Sequence, residues 1–289
     1  MSSVAIITDS DASLPEALAA QYGIGLVPIN IHFGSDTLRA SVDIDDRVLF
    51  ERVDREGALP TTSAPAPGQF AAAYRAALDG GCEAVVCFCV SSEVSATYSA
   101  AVQACQLFPD RSITVVDTRS ISMGQGYMAI VAAQAAREGA GVEDIIARAE
   151  AVRDRTYLYG SLETLRYLAM SGRVGHLTAG MANLLNIKPI LTLRAGKLDM
   201  LEKVRTQRKA WARVIELTTA SLGGRAAEKL TIVHVDALEE AHQFASQLSS
   251  AIACPPDITY AEFTAGLSVH TGPGMVAVVA VAADARSVA

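Results

Sequence analysis

The N-terminal half of the chain alternates short apolar runs with segments of helical spacing. The runs SVAIITDS, EAVVCFCV and SITVVD, at residues 3–10, 83–90 and 112–117, are rich in β-branched residues, which is typical of buried strands. Segments with an apolar face lie between and after them, at residues 14–23, 68–81, 97–108 and 124–154. This alternation predicts a mostly parallel sheet with helices on both faces.

Two segments depart from that alternation. Residues 25–40 (GLVPINIHFGSDTLRA) alternate apolar and polar positions on both sides of GSD, which predicts a hairpin. Pro28 argues against a central hydrogen-bonded position there, because proline has no N–H to donate. Residues 43–57 (DIDDRVLFERVDREG) combine early aspartates with an apolar face and predict a further helix.

The second half predicts another α/β domain. Residues 189–206 indicate two alternating strands around Ala195 and Gly196, so its sheet contains an antiparallel pair and is mixed. A helix, a strand, a helix and a last buried strand are expected at residues 207–224, 229–236, 238–252 and 275–283. We therefore divide the chain into an N-terminal domain, residues 1–155, and a C-terminal domain, residues 156–289.

Composition and charge narrow the functional classes. With 51% hydrophobic and 19% charged residues the chain is globular, and its net charge of -7 without a basic run argues against nucleic-acid binding. The start has no basic leader and its apolar run is too short to span a bilayer, so we expect a cytoplasmic protein without stable membrane insertion. Five cysteines, an odd number, indicate reduced thiols, and we predict neither a metal nor a cofactor.

Hydroxyl side chains gather in three predicted loops, each of which precedes a predicted helix, and polar residues also end the three predicted strands, at Asp9–Ser10, Ser91–Ser92 and Asp117–Thr118. The hydroxyl side chains occur in three stretches, PTTSAPAPG (60–68), SSEVSATY (91–98) and DTRSISMGQG (117–126). A serine or threonine before a helix is often only its N-cap. Since the carboxyl ends of parallel strands meet at one edge of a sheet, three such stretches together predict a binding site for a carboxylate or a phosphate.

Histidine and arginine side chains extend this set. His270, in SVHTGPG (268–274), is expected in a loop, where an imidazole and backbone N–H groups can approach a ligand together. Arg173 lies between glycines and Arg205 ends a predicted strand, and guanidinium groups suit phosphates and carboxylates.

Two other functions stay open at this stage. Ser95, His270 and Asp9 could form a hydrolase or acyltransferase triad acting on an acyl substrate, although G-x-S-x-G is absent. The chain also lacks a nucleotide-binding glycine loop, but a module that binds another phosphate-containing ligand is a further alternative.

Nine short stretches, in order, resemble the DegV family. They are IITDSDASLP, VPINIHFGSDTLRASVDI, PTTSAPAPGQF, SSEVSATYSAA, VVDTRSISMGQG, LRYLAMSGRV, LLNIKPIL, KVRTQRKA and VHTGPG. The resemblance implies two α/β domains with a long-chain fatty acid held between them. It also implies a carrier without a complete active site of its own, which presents the acid to a separate ATP-dependent fatty acid kinase for acyl-phosphate formation and lipid synthesis.

The resemblance also assigns residues to roles. The hydroxyls that bind the fatty-acid carboxylate would be those of Thr62, with Ser63 beside it, and Ser95. The histidine that joins them would be His270. Arg173 and Arg205 match basic positions that face the kinase and the transferred phosphoryl group.

Overall fold

The computed structural model describes residues 3–172 and 187–284 and forms two compact units. Unit 1 consists of residues 1–44 and 62–154, and unit 2 consists of residues 45–61 and 155–289. Residues 45–61 therefore group with the C-terminal half, although the sequence-based division places them in the first domain. The two units share no single boundary along the chain.

A parallel sheet forms the centre of unit 1, and its strand order is β2-β1-β6-β7. This confirms the mostly parallel sheet expected from the sequence. The three-stranded sheet β4-β3-β5 accompanies it, and β3 and β4 form the predicted hairpin. The strands concerned are β1 (Val4–Asp9), β2 (Gly25–Val27), β3 (Asn30–Phe33), β4 (Asp36–Arg39), β5 (Thr61–Ser63), β6 (Ala84–Cys89) and β7 (Ser112–Asp117).

Helices cover both faces of the parallel sheet. Cys87 and Cys89 point from β6 into one buried cluster with Phe70 and Tyr74, whereas Thr8 on the other face bonds the side chain of Gln125. The five cysteines of the chain are free thiols. The helices of unit 1 are α1 (Glu16–Tyr22), α3 (Pro67–Asp79), α4 (Thr97–Cys105), α5 (Met123–Arg137) and α6 (Val142–Arg153).

A six-stranded mixed sheet forms the centre of unit 2, as expected, with the order β10-β9-β8-β13-β11-β12. Only β11 and β12 pair in parallel within it, and the other neighbours are antiparallel. The short strand β12 has no counterpart among the predicted elements. The strands are β8 (Thr156–Ser161), β9 (Lys188–Arg194), β10 (Lys197–Val204), β11 (Ala227–His234), β12 (Thr259–Glu262) and β13 (Val276–Ala282).

The core of unit 2 lies between this sheet and two long helices. Trp211 and Phe244 meet edge to face there, with ring centroids 5.8 Å apart, and pack among Val276, Val278 and Ile232 of the sheet. The helices of unit 2 are α2 (Asp46–Glu56), α7 (Arg166–Met170), α8 (Gln207–Leu222), α9 (Leu238–Ser249) and α10 (Ala265–Thr271). No described helix has both the length and the apolar character needed to cross a bilayer.

Helix α2 joins unit 2 through specific contacts, which explains the grouping of residues 45–61. It begins at Asp45, whose carboxylate accepts the N–H of Val48 at 2.8 Å, and ends at Gly57 with a φ of 65°. The buried Asp46 and Phe50 contact residues of α10 and α7. Amphipathic spacing identifies the buried face of a helix but not the element that covers it.

We expect Gly160→Ala to destabilise unit 2. A Cβ atom at Gly160 would lie 2.8 Å from the Cβ atom of Ala277 on the neighbouring strand, so the sheet would have to shift. Crowding of this kind typically costs about 1–3 kcal/mol. The single tryptophan, Trp211, belongs to unit 2, so its fluorescence during urea unfolding reports this change.

Gly68→Ala is the matched control. Gly68 has open space around it and belongs to unit 1, so the Trp211 transition should stay where it is in the wild type. Equal shifts for both variants would contradict the assignment of the clash to the β8 and β13 interface.

Candidate functional site

The carboxyl group of Asp9 organises the carboxyl edge of the parallel sheet. It is fully buried at the end of β1 and accepts the N–H of Val90 at 2.8 Å and the N–H of Asp11 at 3.0 Å. Burial raises the pKa of Asp9 to about 6, and these hydrogen bonds, with one from Gln125, limit the rise. Asp9 thus connects the ends of β1 and β6 and starts the short 3-10 helix at residues 10–12.

Asp117 performs a similar task one strand further along. Its carboxylate accepts the Ser92 hydroxyl at 2.5 Å, the Ser92 N–H at 3.1 Å and the Arg119 N–H at 3.0 Å. The loop that follows β6 is therefore attached to the end of β7. This loop leads to Ser95, one of the residues singled out by sequence.

Backbone hydrogen bonds connect the loops further. The N–H of Ser91 donates to the carbonyl of Ser120 at 2.9 Å, and the Thr118 hydroxyl donates to the carbonyl of Cys89 at 2.7 Å. The N–H of Ser122 donates to the carbonyl of Asp11 at 2.8 Å. Residues following β1, β6 and β7 therefore contact one another directly at this edge, which confirms the predicted meeting for two of the three hydroxyl stretches, residues 91–98 and 117–126. The third stretch contributes β5 to the three-stranded sheet.

Ser95 lies at the start of α4 and is half-buried. Its Oγ atom is 2.8 Å from the Thr97 hydroxyl and accepts the Thr97 N–H at 3.3 Å. Neither serine nor threonine caps the first turn of α4 in the usual manner, since the N-cap residue is Ala96. Ser95 thus combines a hydroxyl with the N-terminal end of a helix, where backbone N–H groups favour an anion.

Thr62 and Ser63 belong to a strand rather than to a loop. Successive residues of a strand point to opposite faces, so the two hydroxyls leave β5 on different sides. Ser63 shares its face with His32 of the neighbouring strand β3, and its Oγ atom lies 2.8 Å from His32 Nε2. The other ring nitrogen, Nδ1, lies 3.0 Å from the hydroxyl of Thr37 on β4.

A row of three polar side chains therefore crosses the small sheet, namely Thr37, His32 and Ser63. His32 and Thr37 were not among the site residues predicted from the sequence. The two-residue turn at Gly34 and Ser35 would have predicted their contact, because it makes His32 and Thr37 direct cross-strand partners. The contact of His32 with Ser63 needed the structure, since β5 lies far away in sequence.

His270 lies in α10 and not in a loop, which corrects the expectation from sequence. The helix begins after Thr264 and ends at Gly272, which has a φ of 77°. Glycines and a proline near its end make this stretch resemble a loop in sequence, whereas contacts with α2 and α7 support a short helix.

Of the two arginines predicted from the sequence, Arg205 lies within the described residues. Arg205 is exposed and follows β10 directly, in front of Thr206, which caps α8 by accepting the Lys209 N–H at 3.3 Å. The prediction for Arg173 lies outside the described residues. Within the described parts of the chain, no three His, Cys, Asp or Glu side chains are grouped as a metal site requires.

Comparisons with known proteins connect this fold to one family. A family model described as "Uncharacterised protein, DegV family" matches residues 3–283. A DegV domain-containing protein of Streptomyces coelicolor is 35% identical over 276 residues, which cover 96% of this chain and 97% of that protein. A second relative, Protein DegV of Bacillus subtilis, is 29% identical over 274 residues, which cover 94% of this chain and 96% of that protein.

Solved structures show the same likeness. A DegV family protein from Thermus thermophilus, whose structure is described as showing fatty acid binding, has a TM-score of 0.87 and 32% identity, with 97% of this chain and 99% of that chain covered. DegV of Bacillus subtilis, described as a fatty acid binding protein, has a TM-score of 0.85 and 28% identity with the same coverage.

We expect Asp117→Ala to loosen the loop at residues 91–97 without unfolding unit 1. The change removes the acceptor of three hydrogen bonds at a half-exposed position, which should cost about 1 kcal/mol. Hydrogen exchange of the amides in this loop should become faster. Asp110→Ala, at an exposed position before β7, is the control, and identical exchange in both variants would show that Asp117 does not hold the loop.

Proposed function

The chain belongs to the DegV family, and from this premise we propose that it binds a long-chain fatty acid and presents it to a separate kinase. The observation that carries the proposal is the likeness, along nearly the whole chain, to DegV structures described as fatty-acid-binding. The polar edge of the parallel sheet supports it, because a fatty acid needs hydrogen-bond donors for its carboxylate.

Thr62, Ser63, Ser95 and His270 are the proposed ligands of that carboxylate. Of the two neighbouring hydroxyls, we assign the larger part to Thr62, because the family's motif falls on Thr62 with Ser63 beside it. The Ser63 hydroxyl is already engaged by His32, on the other face of β5. Ser95 adds its hydroxyl and the N-terminal end of α4.

The acyl chain would supply most of the affinity. Burial contributes about 0.8 kcal/mol per methylene, so a tail of about 16 carbons offers about 12 kcal/mol before the costs of ordering and association. The carboxylate contributes chiefly by fixing orientation, since it must keep its hydrogen bonds when it leaves water. A carrier of this kind needs no catalytic side chain of its own.

The kinase partner explains the proposed role of the arginines. Phosphoryl transfer from Mg-ATP to a carboxylate builds negative charge that a guanidinium group can neutralise. Arg205 is exposed after β10, where a partner can reach it. Arg173 is proposed for the same role on sequence alone, and the cytoplasmic location is likewise a prediction.

The purified chain should retain fatty acid in a manner that depends on Thr62 and Ser95. Each hydrogen bond to the carboxylate is worth about 1.5–3 kcal/mol, so Thr62→Ala and Ser95→Ala should each weaken binding about tenfold or more. Denaturing extraction and mass spectrometry measure the bound lipid, and displacement of a fluorescent fatty acid measures the affinity.

Two control variants sharpen this test. Ser63→Ala should weaken binding less than Thr62→Ala does, because its hydroxyl is bonded to His32. Ser99→Ala, on the exposed face of α4, should bind like the wild type. If wild type, offered a mixture of long-chain fatty acids, retains none, the chain shares the family's fold but not its ligand.

Acyl phosphate should form only when a fatty acid kinase is added to the chain, the fatty acid and Mg-ATP. Arg205→Ala should keep its fatty acid but lower the rate about tenfold, since a charge at the rim of an interface acts mainly on association. Arg208→Ala, exposed on the following helix, is the matched control. Formation of acyl phosphate or hydrolysis of an acyl ester by the chain alone would refute the carrier.

A further inference from the structure

His270 is held on both sides within α10. Two residues before it, the Ser268 hydroxyl donates to Asp46 Oδ2 of α2 at 2.7 Å, and both residues are buried. Two residues after it, Gly272 lies so close to the ring of Tyr167 that a Cβ atom there would overlap the ring. The position of His270 is therefore determined by the elements that carry these two partners.

Helix α2 contacts α10 through Asp46 and contacts Tyr167 through Phe50. It carries Asp46, and its Phe50 meets the Tyr167 ring edge to face with centroids 6.1 Å apart. A shift of α2 would therefore act on α10 directly through Ser268 and indirectly through Tyr167 and Gly272. The first of these two connections contains an ionisable group.

The surroundings of Asp46 disfavour its charge. Asp46 is only 3% exposed, and its Oδ1 atom is buried with no hydrogen-bond partner among the described residues. Three further carboxyl groups act on it, namely Asp45 at the start of α2, Glu262 of β12 and Asp236 after β11. An ionised Asp46 would thus have one stabilising hydroxyl and three carboxyl neighbours.

These surroundings raise the pKa of Asp46 to about 7 from an ordinary value of 3.8. Burial is the largest cause, Glu262, Asp45 and Asp236 add to it, and the hydrogen bond from Ser268 opposes it. Burial also raises the pKa of Glu262 and lowers the pKa of His234, which lies near Asp236. Within this cluster, the neutral form is therefore favoured for Asp46 and for Glu262.

We propose that Asp46 is a positioning residue for His270: its neutral carboxyl accepts the Ser268 hydroxyl and lets α2 pack against α10, and its ionisation loosens that packing. A carboxylate is the better acceptor for Ser268, so the loosening comes from burying a charge beside Asp45, Glu262 and Asp236, which the single hydrogen bond does not offset. The inference rests on the proposed function, in which His270 contacts the fatty-acid carboxylate. It adds a pH dependence that originates in α2, a helix with no proposed contact to the ligand.

The direction of the effect follows from proton linkage. Asp46 binds its proton more strongly when α10 is fixed than when α10 is loosened, since the loosened state has a carboxyl of ordinary pKa. The proton therefore stabilises the fixed state. This stabilisation is complete below about pH 4 and is lost as the pH rises through about 7. Between about pH 6 and pH 8 this linkage can shift the equilibrium between the fixed and the loosened state by at most about tenfold. We therefore expect fatty-acid binding to be about three- to tenfold weaker at about pH 8 than at about pH 6.

The test compares fatty-acid affinity at about pH 6 and about pH 8 in wild type, Asp46→Asn and Asp54→Asn. Asparagine keeps the shape and an acceptor for Ser268 but cannot ionise, so Asp46→Asn should bind at pH 8 nearly as tightly as at pH 6. Asp54 is exposed on the same helix, and Asp54→Asn should lose affinity as the wild type does. Equal losses in all three proteins would overturn the proposal.

Two further arms separate this inference from the proposed function. Ser268→Ala, which removes the hydroxyl and keeps the carboxyl, should bind more weakly than wild type already at pH 6. His270→Gln should weaken binding at both pH values, and if it binds as wild type does, the proposed role of His270 fails.

Hydrogen exchange in the lipid-free protein tests the local part alone. After correction for the intrinsic rate, the amides of α10 should exchange faster at pH 8 than at pH 6 in wild type but not in Asp46→Asn. Unchanged exchange in the wild type would refute the fixing of α10 by neutral Asp46, whether or not the protein binds fatty acid.

Discussion

The carboxyl edge of unit 1 depends on one buried carboxyl group, that of Asp9. Both of its oxygens accept backbone N–H groups, one from the residue after β6 and one from the 3-10 helix that follows β1. Burying a charge without donors would be costly, and these two donors with Gln125 offset that cost. The loops that carry the hydroxyl groups therefore start from fixed points, which reduces the ordering that a ligand has to impose.

Unit 2 contains another buried carboxyl group, that of Asp46, which has fewer hydrogen-bond donors and more carboxyl neighbours than Asp9 has. Asp9 has hydrogen-bond donors for both oxygens, whereas Asp46 has a donor for one oxygen and further carboxyl groups nearby. Burial raises the pKa of both groups; several hydrogen bonds limit the rise for Asp9, and the neighbouring carboxyl groups add to it for Asp46. Two backbone donors hold the Asp9 carboxyl in place, whereas the Asp46 carboxyl is held by one side-chain hydroxyl.

Much of the fold follows from hydrophobic periodicity and turn residues. The parallel strands, the hairpin at Gly34 and helix ends such as Gly23 and Gly57 are all visible in the sequence, because each depends on residues close together along the chain. The strand β12 and the helix α10 are not visible. They are short, their local preferences are weak, and contacts with distant residues such as Asp46 support them.

The site shows the same division. Strand ends predicted the meeting of polar loops, since the edge of a parallel sheet is a property of the topology. The pairing of Thr37 with His32 could be predicted from the sequence, because the hairpin register is local. The contact of His32 with Ser63 could not, because β5 is distant in sequence. The residue pair that fixes α10 was not visible at all, since Asp46 and Ser268 are separated by 222 positions.

The grouping of α2 with unit 2 has a consequence for synthesis of the chain. A ribosome completes α2 long before it produces α7 and α10, the helices that Phe50 and Asp46 contact. In the meantime unit 1 can close around residues 62–154, with α2 as a loop whose apolar face has no cover. Phe50, buried in the finished structure, therefore stays without the Tyr167 ring until α7 emerges, and Asp46 stays without the Ser268 hydroxyl until α10 does.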